Sequence, residues 1–315
     1  MTAQAQPVAP GNLIQQTAAA AVGQYELHQM ASGLAGYKTG QTAAALGQTG
    51  VNYQTTDQRS LPKASGIALL DGGKAWFDRT NQVVTYKRTS ARDFLIGSIV
   101  GNAKTTDTVC TVNLNAGPCY DRDLWRDAKI EVPYFSMGNP TIFQNAFVLD
   151  NTNEAQKIDA LGGAEEGFST LANSIIEAAF TVTVDDTGTA AIFSIGVASG
   201  SDATAFTNIT NSLGVQVKHH DGKIYAESAT AALQVSPTDT TKTYAVGTRV
   251  EVWFDMRNPA SCAIYVNAVP VLTGSVFDVH TAAVDWFLIA HLVKTSTADA
   301  MKVRVDWLRQ RQMEQ

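Results

Sequence analysis

The stretch VEVWFDMR sets Val250, Val252, Phe254 and Met256 on one face of an extended chain and Glu251, Trp253, Asp255 and Arg257 on the other. A period of two is the signature of a strand and defeats a helix, whose faces recur about every 3.6 residues. The same habit recurs in AFTVTV from Ala179, AIFSIGV from Ala191, Gly214–Val217 and Lys223–Glu227, and in Val303, Val305 and Trp307 against Arg304, Asp306 and Leu308. Ile264 and Val266 lead to a turn at Asn267-Ala268, from which Val269-Pro-Val-Leu returns as the second arm of a hairpin. Asp285–Val293 is apolar on both faces, as expected of a strand in the middle of a sandwich. Such a chain folds as β-structure throughout.

Upstream the strands are shorter and closer together. FLIGSIV from Phe94 and VCTVNL from Val109 are separated by Gly-Asn and followed by Asn-Ala-Gly-Pro, a spacing that suits a compact barrel. Before them, ALLDGGKAWFDRTNQVVTYKR invites comparison with a phosphate-binding loop. That loop needs a further glycine four residues ahead of its Gly-Lys pair and a hydroxyl after the Lys. Ala68 and Ala75 occupy those two places, and alternation rather than helical spacing follows Lys74. Asp71-Gly72-Gly73 therefore reads as a turn, and Thr80-Asn81 as a hairpin connection.

Length and composition set outer limits. A chain of 315 residues holds one large or two medium domains, and a hydrophobic content of 45% supplies ample core. Net charge is −6 with only 17% charged residues, which argues against nucleic acid as a partner. Lys302, Arg304, Arg309 and Arg311 form the one basic cluster, expected to be the solvated face of a last strand. No apolar run approaches the roughly 20 residues that span a bilayer, and no export signal is expected, so no membrane is implied. The three cysteines, Cys110, Cys119 and Cys262, show no metal-binding spacing and read as reduced thiols, with a Cys110–Cys119 disulfide left open.

Residues 1–60 are rich in Ala, Gln, Gly and Thr and poor in large apolar groups. They are expected to form an extended arm that orders against a partner, with plain disorder as the alternative. Residues 61–118 would form the small barrel, 119–140 a linker containing YDRDLWRD, and 141–315 a sandwich. A barrel of under sixty residues is marginal by itself, so support from a neighbour is expected.

Two resemblances sharpen these expectations. The order VEVWFDMRN, AIYVNAVPV, DWFLIAHLVKT, KVRVDWLRQRQ resembles a concanavalin A-like jelly roll, the sandwich of lectins and laminin-type modules. The string from Ile67 to Asn115 resembles the small β-tulip domain of capsid decoration, or cement, proteins of tailed bacteriophages. It does so through Leu70, Asp71, Gly72, Gly73, Trp76, Phe77 and Asp78, then Val84, Thr85, Tyr86, Arg92, Asp93, Phe94 and Gly97, then Thr108, Val109 and Val112. This second resemblance implies a virion protein, made in the host cytoplasm, that sits on the outer surface of the head as a homotrimer. It would contact the major capsid protein through Asp71, Gly72, Gly73, Trp76, Phe77, Arg92 and Asp93. Host-surface glycans remain an open partner of the jelly roll, and a carbohydrate-binding module or adhesin is the alternative reading.

Catalytic and metal constellations are not expected. His28, His219, His220, His280 and His291 match no ligand motif, and no Gly-x-Ser-x-Gly elbow occurs. His291, on an apolar strand, reads as a hydrogen-bonded core imidazole. Asp185-Asp186, Asp202 and Asp221 sit where a lectin could hold calcium, but without ligand-like spacing they read as turn residues. Glu251 and Asp255 share a face about 13 Å apart at roughly 3.3 Å per residue, too far to act as the pair of a glycosidase. The expected protein is thus non-enzymatic, with no cofactor and no metal.

Overall fold

The computed structural model describes residues 13–16, 18, 26–30, 32–39, 43–120, 122–123, 136–137, 141–143, 146–150, 158–162, 174–186, 188, 191–202, 204–218, 221–230, 234–280, 284–294 and 300–312. Expectations for His219, His220 and residues 124–127 of the linker lie outside these residues. The chain forms two compact units, 1–119 and 120–315.

The first unit contains β1 (Leu13–Gln16), β2 (Leu27–Gln29), β3 (Ala35–Lys38) and β4 (Val51–Gln54), then β5 (Gln58–Pro62), β6 (Lys74–Asp78), β7 (Val83–Thr85), β8 (Phe94–Val100) and β9 (Val109–Leu114). The first four make an antiparallel sheet in the order β1-β4-β3-β2, so the described part of residues 1–60 is sheet rather than the expected extended arm. The reason lies in packing: Val51 and Tyr53 alternate into buried positions on β4, and all four residues of β3 are buried. Small residues and glycine there make tight packing, not absence of structure. Leu27, Ala35 and Tyr37 share one apolar cluster with Phe77, Val84, Ile96 and Val112 of the second sheet. This neighbour gives the small barrel the support that its size demands.

The second sheet runs β5-β9-β8-β6-β7 and curls until its ends meet, where Ala64 N–H donates to the Val84 carbonyl at 2.9 Å. Asn115, with φ at 57°, joins the two sheets: its amide accepts from Ala35 N at 2.8 Å and donates to the Ala35 carbonyl at 2.8 Å and the Thr55 carbonyl at 2.5 Å. Cys110 is buried, Cys119 exposed, and both thiols are free.

The second unit contains β10 (Arg122–Asp123), β11 (Ser136–Met137), β12 (Thr141–Phe143), β13 (Ala146–Asp150), β14 (Ile158–Gly162), β15 (Ser174–Val184), β16 (Ala191–Ala198) and β17 (Ser212–Lys218). It continues with β18 (Lys223–Ala229), β19 (Gln234–Thr243), β20 (Arg249–Met256), β21 (Ala263–Val266), β22 (Val269–Val271), β23 (Phe287–Lys294) and β24 (Lys302–Gln312). One sheet has the order β12-β13-β24-β15-β20-β21-β22, with β10 beside β24; the other has β11-β14-β23-β16-β17-β18-β19. Every pairing is antiparallel, and the chain crosses between sheets at β10–β11, β11–β12, β13–β14, β14–β15, β15–β16, β19–β20, β22–β23 and β23–β24, which makes a concanavalin A-like jelly roll. Its core is lined by Ile176, Phe180, Val252 and Phe254 from one sheet and Phe193, Val215, Leu288 and Leu292 from the other. Phe180 and Phe193 meet across it at 5.1 Å between ring centroids.

Asn267 and Ala268, at φ 50° and 63°, close the β21–β22 hairpin with the two-residue turn read from the sequence. Tyr120 and β10, expected as linker, instead pack on the sandwich: Tyr120 Oη donates to Glu177 Oε2 at 2.8 Å. Strand β19 forms a sheet edge, and its pairing with β18 slips by one residue at Ser236-Pro237.

Candidate functional site

On the β23-β16-β17-β18 part of the second sheet, Phe193, Ile195, Val215, Val217, Leu288 and Leu292 point into the core. Their chain neighbours therefore lie on the opposite face. Register aligns His291, Ser194, Gln216 and Tyr225 in one row across four strands, and Ile289, Gly196, Gly214 and Glu227 in the next. The two glycines are required: a Cβ on Gly196 would stand 2.1 Å from the Leu213 carbonyl oxygen, and one on Gly214 would stand 2.9 Å from the Phe206 ring.

The 199–211 loop folds over this face and carries a single 3-10 turn, Phe206–Asn208. Phe206 and Ile209 pack on Ala198 and Ile289, while the Asp202 carbonyl lies 2.9 Å from His291 Nε2. A carbonyl can only accept, so Nε2 carries the ring proton and Nδ1 is a bare acceptor. Ser194 and His291 have no exposed surface, and Glu227 keeps 3%. Among the described residues, Ser194 Oγ, Ser212 Oγ and His291 Nδ1 find no hydrogen-bond partner. Buried polar groups left this way cost roughly 1–3 kcal/mol each, and Ser194 and His291, opposite one another in the register, can each take a further hydrogen-bond partner.

Glu227 is the acid of the compartment. Burial pushes its pKa up to about 7, against the hydrogen bond that Gln216 Nε2 donates to Oε1. Burial likewise lowers the His291 pKa, keeping the ring neutral. The face therefore offers neutral hydroxyl, amide and imidazole groups, one weak acid and one aromatic ring.

His291 is the buried, hydrogen-bonded imidazole that was expected, but on the outer face beneath the loop rather than in the apolar core. Ser194, Gln216 and Glu227 were not anticipated, and their one trace in the sequence is a polar residue interrupting an apolar strand. Of the acidic turn candidates, Asp202 accepts from Thr204 N at 2.7 Å, Thr204 Oγ1 at 2.6 Å and Ala205 N at 3.0 Å. These bonds, the Thr204 hydroxyl foremost, lower its pKa to about 2. Asp186 holds Gly188 N and Ala191 N, Asp185 holds Tyr244 Oη, and Asp221 holds Tyr225 Oη. Asp186, Asp202 and Asp221 are engaged within their own turns and Asp185 by the distant Tyr244, and no cluster of three metal-ligating side chains occurs among the described residues.

The basic cluster at the C-terminus is corrected in one respect. Arg311 is buried, not solvated, and pairs with Glu177 at 2.8 Å, while Lys302 and Arg304 pair with Asp150 and Asp306. Arg309 stacks over Tyr120, its guanidinium 5.0 Å from the ring centre.

In the first unit, Asp71 accepts from Gly72 N at 3.1 Å and Gly101 N at 2.7 Å, and Gly72 takes the left-handed backbone at φ 69°. Asp93 accepts from the backbone and hydroxyl of both Thr89 and Ser90 at 2.7–2.8 Å. Phe77 packs on Phe94 at 5.6 Å between centroids. Asp71, Gly72, Phe77 and Asp93 therefore shape loops and core, Gly73 N–H closes the same turn on Leu70, Trp76 is half-buried on β6, and Arg92 is exposed.

No family model and no curated protein matches the sequence. Among solved structures, the carbohydrate recognition domain of Emp47p is 11% identical, with 57% of this chain and 88% of that one covered at a TM-score of 0.45. A carbohydrate-binding module, CBM66 from Bacillus subtilis, is 10% identical over 54% of this chain and 90% of that one, TM-score 0.36. The catalytic domain of an endo-1,3-beta-glucanase (laminarinase) from Thermotoga petrophila RKU-1 is 13% identical over 55% and 79%, TM-score 0.38. Likeness at this level assigns neither ligand nor activity, and the jelly roll rests on the strand order and register of this chain.

Proposed function

We propose that this chain is a non-catalytic attachment protein whose sandwich binds a neutral glycan and whose first unit fastens it to a protein shell of the phage-head kind. The polar face beneath the 199–211 loop carries the glycan reading. Ser194, Gln216, His291 and Glu227 offer the mixed donors and acceptors that pair with sugar hydroxyls, and the Phe206 ring offers a stacking face. The loop covers this face, so binding requires it to unseat Phe206 and Ile209 and to break the bond to His291. Burial raises the pKa of Glu227, so its carboxyl can donate to a sugar hydroxyl as well as accept from one.

A glycan array probed with the full chain tests this reading. Reproducible binding that Ser194→Ala with Glu227→Gln weakens about tenfold or more is expected, since each lost buried hydrogen bond is worth about 0.5–1.5 kcal/mol. No retained glycan, or binding indifferent to both changes, would remove the site from consideration.

The shell reading is favoured by a separate observation. The residues that carry the decoration-protein resemblance all fall in the first unit, where they build a barrel that shares one apolar core with the first sheet. Many modest contacts between such a unit and a repetitive surface sum by avidity.

A further inference from the structure

The first unit has a cleft of about 370 Å³ bordered by β2, β5 and the β6–β7 loop. Its wall is apolar, from Leu27, Leu61 and Phe77, and its rim carries the exposed side chains of Arg79 and Arg92. Neither guanidinium has a hydrogen-bond or ion-pair partner among the described residues, whereas Glu26, also on the cleft, is engaged 3.1 Å from His28 Nε2. On a chain of net charge −6, two unpaired arginines at one apolar cleft single out an anionic group with an apolar flank.

Backbone geometry narrows the ligand further. Among the described residues strand β2 pairs with β3 alone, and the bonds from Lys38 N to Glu26 O and from Met30 N to Leu34 O fix the phase of that ladder. Bonded pairs alternate with non-bonded ones, so the N–H and C=O of Leu27 and Gln29 face away from β3, toward the edge that carries no further strand among the described residues. An open strand edge beside a side-chain pocket is the arrangement by which an extended segment adds as one more strand.

We infer that the cleft receives an extended segment of a partner protein, which pairs with the Leu27–Gln29 edge and places an acidic side chain against Arg79 and Arg92. The inference rests on the attachment reading of the first unit and names the chemistry of the partner that it would grip.

The experiment uses the full chain and two labelled, end-capped peptides, one alternating valine with glutamate and one alternating valine with glutamine, followed by fluorescence anisotropy. The acidic peptide should bind about tenfold or more tightly than its neutral counterpart, and Arg79→Glu with Arg92→Glu should abolish that preference. Hydrogen exchange should slow at the amides of Leu27 and Gln29 when the acidic peptide is present. Equal binding of the two peptides, no binding by either, or a preference that survives the double substitution overturns the inference. Both arginines are exposed, so an unchanged melting temperature will show that the variant folds. No particle is needed, so absence of the chain from purified heads would sink the shell reading while leaving the cleft standing.

Discussion

Asp93 shows how much one side chain can do for a loop. Its carboxylate has little exposed surface, and burial alone would raise its pKa; the hydrogen bonds from Thr89 and Ser90 outweigh this and hold it well below the usual carboxylate range. A carboxyl with a depressed folded-state pKa contributes stability that is complete above its unfolded value, about 3.9, and drains away as pH falls below it. Asp93→Ala should cost roughly 1–3 kcal/mol at pH 7, and the deficit should shrink in melts at pH 3, because there the unfolded wild-type chain takes up a proton on this carboxylate while the folded protein still holds it ionised. Glu227 runs in the opposite sense. Its folded-state pKa, about 7, lies above the ordinary carboxylate value, so the folded protein keeps a proton that the unfolded chain has released. Stability should therefore fall as pH rises from about 4.5 to 7 and then level off, by roughly 1–3 kcal/mol. In Glu227→Gln that slope should vanish, which paired thermal melts at pH 5 and pH 8 would reveal; an unchanged slope would contradict the burial of this acid.

At the scale of elements, Gly97 on β8 has φ 150°, and a Cβ there would fall 2.0 Å from the Asn113 carbonyl oxygen of β9. Gly97→Ala should thus destabilise the first unit by roughly 3 kcal/mol or more, through strain and strand separation together. Because each unit has its own apolar core, calorimetry of the full chain should show one transition displaced and the other in place. A single transition that moves as a whole would show that the units melt together. Alternation announced β8, β9, β16, β20 and β24 because each turns one face to a core and the other outward. It was silent over β1–β4, where alanine, glycine and tyrosine do the packing, and over β19, whose threonines and Pro237 look like loop. The candidate row was hidden for a different reason. Ser194, Gln216 and Glu227 lie far apart in sequence, and only register brings them together.

For the whole molecule, the two readings make separable demands. Fastening to a shell predicts hundreds of copies in a simple ratio to the major shell protein, as quantitative mass spectrometry of purified particles would count; a handful would indicate a fibre or tail adhesin. Such use packs many copies at close quarters, and there the edge at β19 acquires a meaning of its own. A ten-residue strand at the border of a sheet is a template for open-ended stacking. Here Pro237 withholds a donor, the one-residue slip at Ser236-Pro237 bends the ladder, and Lys242 adds charge. The border works as a chain terminator, so crowding should leave this protein dispersed rather than polymerised.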